Sequence, residues 1–345
     1  MEMTERKKEI LKAIVNEYIM TAEPVGSRTL ARRYDFGVSP ATIRNEMADL
    51  EEANYLEQPH RSAGRIPTDK GYRFYVDDLM ELKKVSKKIV GSIKQDIISK
   101  QVGIQDLIQQ TSQMLSDLTN YTALVLSPQL EESIFQHLQL VSIAERKVLM
   151  VLVTDTGLIK NKIVDIPESI STHDLEMISR FLNERLSGLA LNKIDKEVLE
   201  MINRELVNRI SVPLSNLYFI NEEISSYNIP ENGKIYLGGT AHILEQPEFN
   251  DINKIKSVLK LLEQKQLLYD IMGDFNNKAG VEIMIGSENS FKEIRDCSFV
   301  VATYNLGGRP VGKIGVIGPT RMEYSNVIGT VKFMADTLSE FLAKP

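Results

Sequence analysis

An α+β protein with a helical N-terminal unit is the fold class this sequence predicts, on three observations. Helix-period apolar spacing fills residues 4–56, β-type alternation recurs over 121–166 and 281–317, and a largely helical middle separates the two β regions. At 345 residues the chain exceeds the ~100–200 of a usual domain, so two or three units are expected. Apolar residues at 43% and charged residues at 26% exclude wholly disordered, collagen-like and mucin-like classes. The single cysteine, Cys297, cannot form an internal disulfide, which favours a cytoplasmic protein. Residues 1–12 are densely charged with no apolar stretch behind them, so no signal peptide is expected. No apolar run reaches the ~18 residues of a membrane helix, so no membrane partner is expected. A net charge of −6 argues against coating nucleic acid by bulk charge and leaves room for a local basic face.

The first helix rests on Ile10, Leu11, Ile14, Val15, Tyr18 and Ile19, whose spacing gives one apolar face. Pro24-Val25-Gly26 ends it, and Ser27 reads as the cap of a short basic helix over 28–34. Gly37 supplies a positive φ for the next turn, and Ser39 followed by Pro40 starts a third helix. On it Ile43, Met47 and Leu50 recur at i, i+4, i+7 and must face the core, leaving Ala41, Thr42, Arg44, Asn45 and Ala48 outside. A solvated face usually carries long charged residues. This one offers small residues beside a hydroxyl, a guanidinium and an amide. Those groups suit a DNA major groove: Arg donates twice to guanine, Asn pairs with adenine, and Thr or Ala methyls meet the thymine methyl.

Helix, short helix, glycine turn and capped helix form a helix-turn-helix, and residues 55–68, turning at Ser62-Ala63-Gly64, read as a hairpin wing. Arg28 and Arg32 on the second helix, Ser39 at the cap, Arg61 and Arg65 in the wing, and Thr68, Lys70, Tyr72 and Arg73 after it complete the set of candidate DNA contacts. Acids and bases balance over residues 1–75, with the bases gathered on the second helix and around the wing. Such a modest patch needs a second copy for useful affinity, so dimerisation is expected. On pattern alone an ordinary helical bundle with a solvated surface stays open.

Helical pattern returns over 72–119, and Lys83, Lys84, Lys87 and Lys88 suit an exposed connecting helix. Strands are expected at 121–127, 137–143, 147–154 and 158–166, the last two joined by a tight turn at 154–157. Helices follow at 172–187 and 195–224, then a short strand at 234–238 and a long helix at 251–274. Strands at 281–285, 297–305 and 311–317 lead to a closing amphipathic helix at 324–343. One sheet interrupted by a helical insertion explains that order more simply than two separate α+β domains.

Enzyme chemistry finds little support. Gly307-Gly308-Arg309-Pro310-Val311-Gly312-Lys313 has the spacing of a phosphate-binding loop, but Ile314 stands where Ser or Thr would hold magnesium, and strand follows where a helix is required. Cys297 opens an apolar strand and reads as a small buried hydrophobe. His60, His137, His173 and His242 lack metal-binding spacing, so no catalytic, metal or cofactor residue is expected.

Several strings carry a family resemblance: Glu23-Pro24-Val25-Gly26-Ser27-Arg28, Ser39-Pro40-Ala41-Thr42-Ile43-Arg44-Asn45-Glu46-Met47, His60-Arg61-Ser62-Ala63-Gly64-Arg65-Ile66-Pro67-Thr68, Asp69-Lys70-Gly71-Tyr72-Arg73, and Gly318-Pro319-Thr320-Arg321-Met322. The chain resembles the HrcA-type heat-inducible transcription repressors of bacteria. That resemblance implies a winged helix-turn-helix domain over 1–80, a connecting helix over 81–103, and a GAF-like domain over 104–170 and 255–345, interrupted by an inserted, mainly helical dimerising domain over 171–254. It also implies a cytoplasmic homodimer that binds double-stranded DNA at an inverted-repeat operator called CIRCE, represses chaperone operons until heat stress, and is helped by the GroEL chaperonin; bound to its operator it would lie in the nucleoid. The motifs place Thr42, Arg44, Asn45, Arg61, Arg65, Thr68, Lys70, Tyr72 and Arg73 at or near DNA. A GAF-like domain that binds a small effector, with Tyr304, Arg309 and Arg321 as first choices, stays open, as does an enzyme or scaffold carrying an incidental winged helix.

Overall fold

Helix α1, Glu5–Thr21, begins where the Thr4 hydroxyl accepts the Lys7 N–H at 3.4 Å and ends at Ala22, which turns left-handed at φ 56°. The computed structural model describes residues 3–83, 85–86, 91, 103–128, 133–166, 170–207, 234–249, 251–276, 280–291 and 294–343. Most of the expected connecting segment over 81–103, including Lys84, Lys87 and Lys88, and the expected helix beyond residue 207 lie outside them.

Helix α2, Ser27–Arg33, starts one residue earlier than its sequence suggests: Gly26 holds the cap position and no side chain caps it. Helix α3, Pro40–Glu52, takes Ser39 as cap, its hydroxyl accepting the Thr42 N–H at 3.2 Å, with proline at the first turn where no N–H is missed. Ile10, Ile14, Leu30, Ile43, Met47 and Leu50 close the core between the three helices. A hairpin of two short strands follows, β1 (Leu56–Glu57) and β2 (Ile66–Pro67), and a Val25–Arg65 bridge ties it to the segment between α1 and α2. Gly64 is needed there, because a Cβ would lie 2.4 Å from the Val25 carbonyl. Helix α4, Asp69–Phe74, then runs on through a wide turn over Tyr75–Leu79.

The body is built on a five-stranded antiparallel sheet in the order β7-β3-β10-β9-β8, where β3 is Thr122–Leu126, β7 Ile235–Gly238, β8 Val281–Ile285, β9 Cys297–Leu306 and β10 Arg309–Pro319. Its central strands are apolar on both sides because both faces are covered. Ala123, Val125, Val300 and Ile314 pack beneath α5 (Ile104–Thr119) and α10 (Tyr324–Leu342) in a core continuous with that of the N-terminal helices. Leu124, Leu126, Phe299 and Val301 pack beneath α8 (Ile252–Glu263) and α9 (Lys265–Asp274), which are one helix in the sequence pattern and two in the structure, broken at Gln264.

Between β3 and β7 lies a separate three-stranded sheet, β4 (Phe135–Ala144), β5 (Lys147–Thr154) and β6 (Ile159–Asp165). Its inner side chains Leu138, Leu140, Met150 and Leu152 pack with α6 (Thr172–Leu186) and α7 (Lys196–Val207) in a core of their own, against which Ile104 of α5 also packs. The inserted unit therefore begins after β3 rather than at residue 171, and its described residues form a three-stranded sheet together with helices. Residues 235–238 likewise belong to the main sheet rather than to the insertion. Alternation alone states that a strand has a dry face; it does not state which sheet the strand joins.

Candidate nucleic-acid interface

The neutralisation of charge, residue by residue, picks out one face of the N-terminal unit. Arg6 meets Glu46 at 2.6 Å, Lys7 meets Asp49 at 2.8 Å, and Arg33 pairs with Glu17, which also accepts the Tyr34 hydroxyl at 3.0 Å. Arg28, Arg32, Arg44 and Arg61 are exposed and have no carboxylate partner among the described residues. Keeping four guanidiniums uncompensated gains the isolated fold nothing and leaves them available to an external anion.

Three elements hold Arg28, Arg44 and Arg61 of these, with Arg65, around one cleft of about 330 Å³: Arg28 from α2, Arg44 from α3, and Arg61 and Arg65 from the hairpin, with Gly26, Ser27, Met47 and Gln58 also lining it. Ala41 and Asn45 are exposed on α3 beside Arg44, as is Ser39 at its cap; Thr42 is half-buried, its hydroxyl 3.0 Å from that of Ser39. The hairpin turn is braced from within: Gln58 Nε2 donates to the Arg61 carbonyl at 3.2 Å and the Ala63 carbonyl at 2.9 Å. Sequence reasoning missed Gln58, since nothing in a lone glutamine announces that it will span a turn. Arg65 lines the cleft but is largely spent, paired at 2.6 Å with Glu51 on α3.

The residues after the hairpin, expected at DNA, each make contacts within the fold. Thr68 caps α4, donating to the Asn54 carbonyl at 2.7 Å and accepting the Gly71 N–H at 3.1 Å. Lys70 donates to the Ala53 carbonyl at 2.9 Å and lies over the Tyr55 ring, its Nζ 4.3 Å from the centroid. Tyr72 is 2% exposed, in ring contact with Tyr324 of α10, so it is core; its hydroxyl has no hydrogen-bond partner among the described residues, and burial pushes its ionisation well above the ordinary tyrosine range. Arg73 Nε donates to Glu288 at 2.8 Å and its Nη2 to the Ile283 carbonyl at 2.8 Å, both in the body.

The other candidates are also occupied. Tyr304 donates to the Leu126 carbonyl at 2.6 Å, Arg309 pairs with Asp155 of the inserted unit at 2.5 Å, and Arg321 pairs with Glu248, so each of the three is engaged within the fold. Burial pushes the Cys297 thiol up to about 12, which fits an inert small hydrophobe. The 307–313 segment is the β9–β10 turn at Gly307 and Gly308, with φ 59° and 84°, followed by the start of β10, where Lys313 is buried and donates to the Met272 carbonyl at 2.7 Å. Among the described residues no group of three or more His, Cys, Asp or Glu is placed to hold a metal, and no helix is long and apolar enough to cross a membrane.

Three helices and a hairpin that leave the uncompensated Arg28, Arg44 and Arg61 along one cleft, carried on an α+β body, have the build of a two-part DNA-reading regulator. Residues 105–328 match the family described as HrcA protein C terminal domain. The heat-inducible transcription repressor HrcA of Pelotomaculum thermopropionicum is 46% identical over 344 residues, covering 100% of this chain and 98% of that one. Its counterpart in Carboxydothermus hydrogenoformans is 46% identical over 341 residues and 98% of both chains. The chain belongs to the HrcA family. A solved structure of a hypothetical protein shares the fold at a TM-score of 0.62 and 22% identity, covering 99% of each chain.

Proposed function

We propose that this chain is a heat-relieved repressor of chaperone operons, which as a homodimer binds an inverted-repeat operator of the CIRCE type. In this reading residues 3–80 are a winged helix-turn-helix, α3 enters the major groove, and the β1–β2 hairpin is the wing. Ser39, Ala41, Thr42, Arg44 and Asn45 face base edges and the nearest phosphates, while Arg28, Arg32 and Arg61 hold the phosphate backbone. The five-stranded body is GAF-like. The observation that carries the proposal is the cleft between α2, α3 and the wing, where exposed arginines lack internal partners. Retardation of a duplex with both operator arms, against one of scrambled sequence, tests it. Equal retention of the two would reject sequence reading.

The inserted unit supports the homodimer. The outer face of its sheet carries Val141, Leu149 and Ile163 in one row across β4, β5 and β6, with Ile143 and Ile159 nearby; Ile159 and Ile163 are each 55% exposed. A two-fold interface over that face would set the half-site spacing. Ile163→Lys is expected to shift sedimentation toward monomer, and an unchanged dimer would place the interface elsewhere. Relief by heat is assigned to loss of the folded, DNA-competent state, which GroEL would restore. DNA binding that survives heating unchanged, with and without chaperonin, would count against that part.

A further inference from the structure

Helix α4 joins the three-helix unit to the body through charged pins that no local sequence pattern announces. Asp69 Oδ2 accepts the Ser287 N–H at 2.8 Å, and its carboxylate fills the space beside Gly286: a Cβ there would lie 2.3 Å from Asp69 Oδ1. Gly286 also sits at φ 51°, so the turn Gly286–Glu288 is shaped around that carboxylate. One helical turn on, Arg73 holds Glu288 and reaches the Ile283 carbonyl. Glu288 is fixed in turn by accepting the Ile285 N–H at 2.8 Å. Elsewhere on the same seam Arg321, paired with Glu248, donates to the Ile19 carbonyl at the end of α1. The Lys83 N–H donates to the Ser325 carbonyl at 3.2 Å at the start of α10. Beside these pins the seam is open, with a polar cleft of about 450 Å³ between Tyr18, Thr68 and Lys70 on one side and Ser287, Arg295 and Thr320 on the other. Charged pins rather than packing alone therefore hold the joint at this end.

We infer that Asp69 and Arg73, with Gly286 and Glu288 as their sockets, are positioning residues that fix the angle at which the DNA-reading unit sits on the body. The inference rests on the repressor reading above for its consequence: two heads on one dimer reach two operator arms only if each is held at a set angle. A rigid head presents the second recognition helix at high effective concentration once the first has bound, and a swivelling head dilutes it. The pins thus act on operators with two arms and are silent toward one arm.

The test uses the full chain and two duplexes, one with both arms of the operator and one with a single arm. Arg73→Ala is expected to weaken binding to the two-arm duplex by about tenfold or more, to leave single-arm binding within about twofold, and to leave the single-arm salt dependence unchanged. Arg73→Glu alone should behave like Arg73→Ala, and combining it with Glu288→Arg should restore two-arm binding, which a general folding defect would not do. Equal loss on both duplexes with a shallower salt dependence would make Arg73 a phosphate contact and overturn the inference. Unchanged binding on both would overturn it as well. If the unaltered protein fails to prefer the operator to scrambled DNA, it is the repressor reading that falls. A DNA-free measurement still decides the pins: the distance distribution between spin labels at Ala48→Cys and Lys332→Cys should broaden in Arg73→Ala, and an unbroadened distribution would sink the proposal.

Discussion

The N-terminal unit carries bases on two surfaces that are put to opposite uses. Along α2, α3 and the hairpin turn, Arg28, Arg32, Arg44 and Arg61 find no carboxylate among the described residues. Along α4, Arg73 is matched by Glu288, and Lys70 is folded back onto a carbonyl and a ring. The two surfaces are adjacent in sequence and almost indistinguishable in composition. What separates them is whether the fold supplies a partner, because a charge neutralised from inside has little left to offer a phosphate. Arg65 lies on the border, lining the cleft while tied to Glu51.

The comparison can be broken at several points. The largest effect is expected at Tyr72, read here as core: Tyr72→Ala should lower unfolding stability by about 3–5 kcal/mol in denaturant titrations, with the DNA affinity of the folded fraction intact. A DNA defect without a stability defect would return Tyr72 to the interface. Arg44→Ala or Asn45→Ala should cost roughly 1–3 kcal/mol on the matching operator and little on random DNA, measured by competition binding. Arg61→Ala should weaken all duplexes alike and reduce the salt slope by about one, whereas Lys70→Ala should leave the slope alone. The smallest change is expected from Tyr72→Phe, within about 1 kcal/mol at neutral pH because the hydroxyl it removes has no partner among the described residues. Its signature is alkaline. Burial lets the folded state keep the Tyr72 proton at a pH where the unfolded chain has released it, so this contribution is full below about pH 10 and is lost as pH rises further. Tyr72→Phe should therefore flatten the alkaline fall in stability.

Local physics made much of this molecule legible from sequence. The cap at Ser39, the i, i+4, i+7 recurrence of Ile43, Met47 and Leu50, and the alternation of β5 and β8 are all settled within a few residues, and elements stand where those signals place them. What was not legible depends on partners far away along the chain. Arg73 finds Glu288 and Ile283, and Tyr72 finds Tyr324, across more than half of the chain's length. In the sequence both read as polar groups trailing a basic wing. The edge of the inserted unit was misplaced for a related reason, since Leu138 and Leu140 alternate as they would in either sheet. The candidate face itself was better served, because an amphipathic helix with small residues outside is a local pattern.

Strands β3 and β7 lie side by side, and the chain leaves one and enters the other at the same spot: the Ser127 N–H donates to the Lys234 carbonyl at 2.9 Å, and the Lys234 N–H to the Ser127 hydroxyl at 2.9 Å. Topologically, then, the middle of the protein is a hairpin whose loop has grown into a domain. Because its two ends already meet, a short glycine linker in its place closes the body's sheet without disturbing the register, at a loop-closure cost that changes only slowly with length. The portion proposed to read DNA and the portion proposed to pair the subunits are thereby expected to come apart by a single excision, the Arg309–Asp155 pair being lost with it.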